Sequence, residues 1–120
     1  DFDGALYSGS HTSFRNFIDG TSATMMVGER GIPNTLDHGW PICAWGLSGD
    51  GDTDNVLSTL HGMHAGQPDS FHNMHFWSHH PQSVPFLFVD GSVKSLNYGL
   101  DDTVLKSLSS RADGEIVSLE

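Results

Sequence analysis

The chain has 120 residues, fifteen of them acidic and five basic, and its formal net charge is −10. This length suits one small domain with a single hydrophobic core, and the negative charge repels phosphate backbones and anionic membrane surfaces. Composition therefore argues against nucleic acid as a partner. A single cysteine excludes an internal disulfide, and no run of about 20 apolar residues is present to span a membrane.

The first elements expected along the chain are a helical turn and a strand. Residues 12–18 place three aromatic or aliphatic side chains at helical spacing after two good N-cap residues, which predicts one helical turn ending at 19–20. Residues 23–29 then predict a strand with Met25 and Val27 on one face.

The middle of the chain, 31–75, shows no sustained periodicity and is rich in Gly, Pro, His, Trp and Asp. We interpret it as a long irregular excursion. Because structureless loops of this length are uncommon in compact domains, we expect Trp40, Trp45 and Leu47 to anchor it to the core.

The clearest pattern is a β-hairpin over 84–96, in which two apolar stretches flank Asp90-Gly91. The Asp-Gly pair predicts a type I′ turn, with both residues at positive φ. In the corresponding register Phe88 faces Val93, and one face of the hairpin belongs to the core.

An amphipathic helix is expected over 100–111, where acidic residues come first, a basic residue comes last and Val104, Leu105 and Leu108 form one stripe. Residues 115–119 follow as a candidate closing strand. Together these elements predict a single α+β domain over 1–120, mainly antiparallel β with short helices.

His80 and Asp90 are separated by a predicted strand that advances about 3.3 Å per residue. We therefore expect the two side chains at opposite ends of the hairpin, where they cannot share a proton. The spacing indicates a structural unit rather than a catalytic pair.

Two segments carry a resemblance to a known family. The stretch HPQSVPFLFVDG, from His80 to Asp90 and Gly91, resembles the signature of the prepilin-type processing-associated H-x9-DG domain family, also called domain of unknown function 1559. The segment FIDGTSATMMVGER is similar to the family's DGTSNT…VGE segment, with matches at Asp19, Gly20, Thr21, Ser22, Thr24, Val27, Gly28 and Glu29. Residues 91–117 are similar to the family's C-terminal end.

The resemblance implies a pilin-like globular domain of antiparallel sheet. Family members begin with a leader and a long apolar N-terminal helix, so this chain is expected to correspond to the C-terminal part of that globular domain, with any membrane contact made only through the helix that precedes it. The implied function is non-enzymatic assembly with itself or other pilin-like subunits, at the cell surface or in the periplasmic space. In this setting the segment around Asp19 is expected to be structural, with Thr21 and Ser22 capping its turn.

Histidines suggest a different kind of site. His72, His75 and His79 lie close in sequence, as ligands of zinc or copper do. Nearby glycines and prolines interrupt the helix that would bring them to one face. The alternative is a polar loop whose histidines pack on Phe76 and Trp77.

Asp50, Asp52 and Asp54 alternate as the carboxylates of a calcium loop do, but an EF-hand needs Gly and Glu where Asn55 and His61 stand. A calcium loop of another type remains an alternative to a solvated acidic turn. The sequence establishes no cofactor, and calcium is the leading candidate.

Two further function classes deserve comparison. An extracellular metal- or carbohydrate-binding module could use Trp40, Trp45 and Trp77 as sugar-stacking surfaces, although small domains usually bury tryptophans as anchors. Catalysis at Ser22 is not supported, because neither a G-x-S-x-G elbow nor a Ser-x-x-Lys pattern surrounds it.

Overall fold

The computed structural model describes residues 3–7, 9–31, 57–66 and 75–114. These ranges contain a three-stranded antiparallel sheet in the order β1-β2-β3 and a helix, α1, together with short 3-10 turns at Phe14–Asn16 and Thr59–His61. The elements are β1 (Met25–Gly28), β2 (Ser83–Phe88), β3 (Val93–Asn97) and α1 (Asp102–Ser109). The predicted α+β class with mainly antiparallel strands is confirmed.

Some predicted features lie outside the described residues. They are the closing strand at 115–119 and the anchors Trp40, Trp45 and Leu47. Within the described ranges, no helix combines the length and apolar character needed to cross a membrane.

The core lies between one face of the sheet and α1. Side chains of β2 alternate in burial, and Val84, Phe86 and Phe88 point inward with no more than 2% of their surface exposed. Leu105 and Leu108 of α1 pack against them and are equally buried. Burial of each such side chain contributes about 1.5–3 kcal/mol before the cost of ordering it.

Local capping explains where α1 begins. The Asp101 carboxylate accepts a hydrogen bond from the Thr103 N–H at 2.8 Å, and Asp102 adds negative charge to the first turn. The Thr103 hydroxyl and N–H lower the pKa of the Asp101 carboxyl. The predicted buried stripe of this helix is confirmed, with Val104 half-buried beside it.

The predicted hairpin is confirmed, but its type I′ turn is wrong. Gly91 has a φ of 86°, whereas no non-glycine residue in the described ranges has a positive φ, so Asp90 does not. The Gly91 N–H donates to the Phe88 carbonyl at 3.0 Å, and the Phe88 N–H donates to the Ser92 carbonyl at 2.8 Å. This is the bonding of a three-residue loop that ends in a left-handed glycine.

The longer loop shifts the pairing of β2 and β3 by one residue. Leu87 faces Val93 and Phe86 faces Lys94, so the predicted pairing of Phe88 with Val93 is wrong. Val93 lies on the outer face of the sheet and is 66% exposed.

A β-bulge in β1 overturns a second detail. Met25 pairs with Phe88 and Val27 pairs with Leu87, so β1 advances two residues while β2 advances one. Met25 is consequently 5% exposed on the core face, and Val27 is 49% exposed on the outer face. The prediction that these two side chains share a face is wrong.

The segment 3–7 is fastened to the end of α1 by Arg111. The Arg111 N–H donates to the Asp3 carbonyl at 3.0 Å, and its guanidinium donates to the Gly4 carbonyl at 2.8 Å. The same guanidinium lies 5.2 Å from the centre of the Tyr7 ring. Residues distant in sequence therefore meet at the end of this helix.

Candidate functional site

The candidate site consists of the two ends of the β2–β3 hairpin. We call residues 89–92 the loop end, and the part where Ser83 and Asn97 pair the open end. The motif residues that resemble the H-x9-DG family divide between them, with Asp90 at the loop end and His80 at the open end.

At the loop end, the hairpin loop is hydrogen-bonded to the segment that precedes β1. The Asp90 N–H donates to the Thr21 carbonyl and the Val89 N–H donates to the Thr24 carbonyl, both at 3.0 Å. Lys94 donates to the Ser22 carbonyl at 2.8 Å. These bonds to Thr21 and Ser22 use main-chain carbonyls, and they hold the loop against the turn.

The Asp90 side chain acts within its own loop. One carboxylate oxygen accepts from the Ser92 N–H at 2.9 Å and from the Ser92 hydroxyl at 2.6 Å. The hydroxyl bond, followed by the main-chain bond, lowers the pKa of the Asp90 carboxyl. The Asp90 side chain therefore stabilises the position of Ser92, which follows the left-handed Gly91.

Asp19 joins the same turn to the chain that follows α1. Its two carboxylate oxygens accept hydrogen bonds from the Asp113 N–H at 2.9 Å and the Gly114 N–H at 2.8 Å. Hydrogen bonds to a charged acceptor are stronger than neutral ones. The Asp19 carboxylate is therefore used to hold two backbone groups.

Thr24 is the buried centre of this arrangement. Its side chain is 0% exposed, and its hydroxyl lies 3.1 Å from the Gly20 carbonyl and 3.3 Å from the Ser110 carbonyl. It is Thr24, rather than Thr21 or Ser22, whose hydroxyl bonds to the turn at Gly20. The loop end thus connects three parts of the chain: the turn before β1, the hairpin loop and the end of α1.

At the open end, Ser78 positions the segment that carries His80. The buried Ser78 hydroxyl donates to the Ser83 carbonyl at 2.7 Å and accepts from the His80 N–H at 3.0 Å. The Ser78 N–H donates to the Tyr98 hydroxyl at 3.0 Å. These hydrogen bonds hold residues 78–80, which precede β2, against the start of β2 and the end of β3.

His80 faces Glu29 across the open end. The imidazole Nε2 lies 3.7 Å from a carboxylate oxygen of Glu29, and the two side chains are 63% and 36% exposed. The Glu29 N–H donates to the Pro85 carbonyl at 2.9 Å, which continues the β1–β2 pairing. An exposed pair of this kind contributes about 0–1 kcal/mol, and only when the imidazole is protonated.

Gly28 is required by close packing. A Cβ atom at this position would lie 2.4 Å from Cε1 of Phe86 and 2.7 Å from Cε1 of Phe76. Both rings are buried and meet edge to face at 5.1 Å. Gly28 therefore leaves the space that these aromatic rings occupy.

His80 and Asp90 lie at opposite ends of the hairpin. The six residues of β2 separate its two ends by roughly 20 Å of extended chain, which agrees with the expectation that His80 and Asp90 do not form a dyad. Within the described ranges, no three His, Cys, Asp or Glu side chains are grouped to hold a metal ion.

The candidate metal ligands are only partly placed. Asp50, Asp52, Asp54 and His72 lie outside the described residues. His75 is buried, with its ring 5.1 Å from that of His64, whereas the exposed His79 lies 5.1 Å from the Trp77 ring. A metal site at these residues stays a prediction.

Sequence reasoning missed three side chains that make hydrogen bonds at one or the other end of the hairpin. Thr24, Ser78 and Lys94 make these contacts, and none was singled out as a site residue. A serine between a tryptophan and two histidines gives no sign of burial. For Thr24 there were two signals: its match to the family's DGTSNT segment and its position between the apolar residues Ala23 and Met25.

Comparison with known proteins identifies a family. The sequence profile of the family described as "Protein of unknown function (DUF1559)" matches residues 1–103. No curated protein matches the chain, and neither does any solved structure. The matched range includes the loop end, the open end and the whole hairpin.

Proposed function

Since this chain belongs to the DUF1559 family, we propose that it is a non-enzymatic, pilin-like or pseudopilin-like structural protein that acts by assembly through its globular domain. It would work outside the cytoplasm, at the cell surface or in the periplasmic space. Its partners would be further copies of itself or other pilin-like subunits, and its attachment to the membrane would depend on an apolar helix preceding this part of the chain.

The observation that supports this proposal is how the motif residues are used. Asp19 and Asp90 are the carboxylates that a catalytic hypothesis would choose first, and both bond to main-chain N–H groups. Gly28 makes room for aromatic rings, and Gly91 closes a loop. A motif whose members fix the backbone is expected of a scaffold.

The alternative is an extracellular metal- or carbohydrate-binding module. The buried ring of Trp77, only 2% exposed, does not present a face on which a sugar could stack. A calcium loop at Asp50, Asp52 and Asp54 would be compatible with the structural role, because such a loop stiffens the chain without chemistry.

Fractionation of native cells tests the proposal. Surface material removed by shearing, membranes and soluble protein would be separated, and the protein would be identified in each by intact mass spectrometry. We expect a longer chain with a processed, apolar N-terminus in the surface or membrane fraction. A native chain that begins near Asp1 and occurs only in the soluble fraction would contradict assembly as the function.

Metal analysis separates the two candidate functions. The 120-residue chain would be purified without an affinity tag and its metal content measured by mass spectrometry. Stoichiometric zinc or copper would favour the binding module, whereas calcium alone would fit a structural loop. His80→Ala serves as a companion variant, since loss of an exposed contact should lower stability slightly and leave metal content unchanged.

A further inference from the structure

The outer edge of β3 has main-chain groups that the described residues do not use. At the two ends of the hairpin, the Tyr98 N–H donates to the Gln82 carbonyl and the Phe88 N–H donates to the Ser92 carbonyl. Bonded positions alternate along an antiparallel pair. The N–H and C=O groups of Val93 and Ser95 and the N–H of Asn97 therefore point away from β2 and are not used by the described residues. The Asn97 carbonyl is used, because it accepts a hydrogen bond from the Leu100 N–H at 3.0 Å.

The side chains on this edge do nothing to prevent pairing. Val93, Ser95 and Asn97 are exposed and uncharged. Sheet edges are usually protected by charged side chains, especially lysine and including ones that point inward, by proline or by bulges. Lys94 is the one charged residue of β3, but its ammonium is held away from the edge, since it bonds to the Ser22 carbonyl at 2.8 Å and lies 4.3 Å from the centre of the Phe88 ring.

We propose that this edge is an interaction surface for a second copy of the chain, in which the two β3 strands pair antiparallel about a two-fold axis at Ser95. The occupant must be an extended strand, because only a strand can satisfy alternating N–H and C=O groups along an edge. The inference deepens the proposed function, on which its biological use rests, by naming the surface for self-association.

The register follows from charge and bond number. Centred on Ser95, the pairing places Val93 opposite Asn97 and Lys94 opposite Leu96 of the other copy. It forms about four main-chain bonds, because the Asn97 carbonyl of each copy is already bonded to Leu100. A register centred on Lys94 would place two ammonium groups opposite each other, which is unfavourable. A register centred on Leu96 would use fewer of the outward groups.

The charge within β3 does not oppose this pairing, because its one charged residue, Lys94, would lie opposite Leu96. The net charge of −10 on each copy opposes association at longer range. The paired strands themselves bring no carboxylates together. Because strand pairing buries a small area, we expect a weak dimer that becomes significant where copies are concentrated.

Sedimentation of the 120-residue chain over a range of concentrations tests the pairing. Ser95→Asp would place two carboxylates together at the axis, and we expect at least a tenfold weaker association. Ser95→Ala should associate like the parent. Ser83→Asp is the matched control, because it adds the same charge to the outer face of β2, away from the edge.

A cross-link tests the register. Ser95→Cys in a Cys43→Ala background should form a disulfide-linked dimer, since directly opposed residues in a bonded pair lie about 5.5 Å apart at Cα. Ser83→Cys, on the neighbouring strand of each copy, should not link, because about three strand spacings would separate its two copies.

Three results would overturn the inference. They are a monomer at all concentrations, an association that Ser95→Asp leaves unchanged, and slow amide exchange at Val93, Ser95 and Asn97 in the monomer, which would mean that the chain covers its own edge. Monomeric protein that nevertheless occurs in surface material would refute the pairing and leave the proposed function standing. A Ser95-centred dimer of a protein absent from surface material would support the pairing and refute that function.

Discussion

Replacing Gly28 with alanine should destabilise the fold through steric overlap alone. The new Cβ atom would lie 2.4 Å from Phe86 Cε1, and 2.7 and 2.8 Å from two carbons of Phe76. Favourable carbon–carbon contacts lie at about 3.5–4.0 Å, so the rings must move by about 1 Å. The rings cannot relieve the overlap by moving into solvent, because Phe86 is only 2% exposed and Phe76 only 8%.

The magnitude follows from two opposing effects. Overpacking of a dense core costs about 1–3 kcal/mol. Alanine also restricts the unfolded chain more than glycine does, which returns about 0.4–1 kcal/mol where the native backbone is unstrained. We therefore expect Gly28→Ala to lower the free energy of unfolding by about 1–2 kcal/mol.

Urea unfolding, followed by tryptophan fluorescence, measures this change. Gly4→Ala is the control, since its Cβ would meet only two carbonyl oxygens at 3.9 Å, an ordinary contact. Phe76→Leu should relieve part of the overlap, so the double variant with Gly28→Ala should lose less stability than the two single losses added together. Parental stability of Gly28→Ala would refute the steric argument.

Three further predictions concern the loop end. Gly91→Val should cost about 1–2 kcal/mol in urea unfolding, because φ is 86° although the space around the position is open, and Gly91→Asn should cost less. Asp19→Ala should cost about 1–2 kcal/mol, since two N–H groups lose a charged acceptor. Because the pKa of Asp90 lies below its ordinary value of 3.8, its stabilising contribution should be present above about pH 4 and lost as the pH falls through the lowered pKa. An NMR titration should show that Ser92→Ala raises this pKa.

Specific outcomes would contradict each of these. Equal stability of the Gly91→Val and Gly91→Asn proteins would mean that backbone conformation does not decide the cost. Full stability of Asp19→Ala would show that water replaces the carboxylate without loss. An Asp90 pKa that does not respond to removal of the Ser92 hydroxyl would remove the explanation given for its shift.

Local sequence signals predicted the hairpin and the helix, but not the loop that joins the strands. Asp-Gly suits the two-residue type I′ turn and also the last two positions of a three-residue loop. Burial decides between them. In the predicted register Leu96 would face Pro85 on the outer face, whereas in the structure it faces Val84 and both side chains are buried.

The contacts at the two ends of the hairpin could not be predicted in the same way. Asp19 and Asp113 are 94 positions apart in sequence, and Thr24 meets Ser110 across 86 positions. Periodicity and capping rules describe neighbours along the chain, so they give no information about such pairs. The bulge in β1 could not be predicted either, because the sequence of a strand does not show which of its residues lacks a partner on the neighbouring strand.

The fastening at Arg111 has a mechanical consequence. A pull applied to the chain at Asp3 reaches the main chain of Arg111 through one hydrogen bond, and the Gly4 carbonyl passes tension to the guanidinium of the same residue. From there Ser110 is joined to Thr24, immediately before β1. Tension from the N-terminal side would therefore enter the fold at the end of the helix and reach the start of the first strand at Thr24. From there the bond between the Thr24 carbonyl and the Val89 N–H would pass part of it to the hairpin loop.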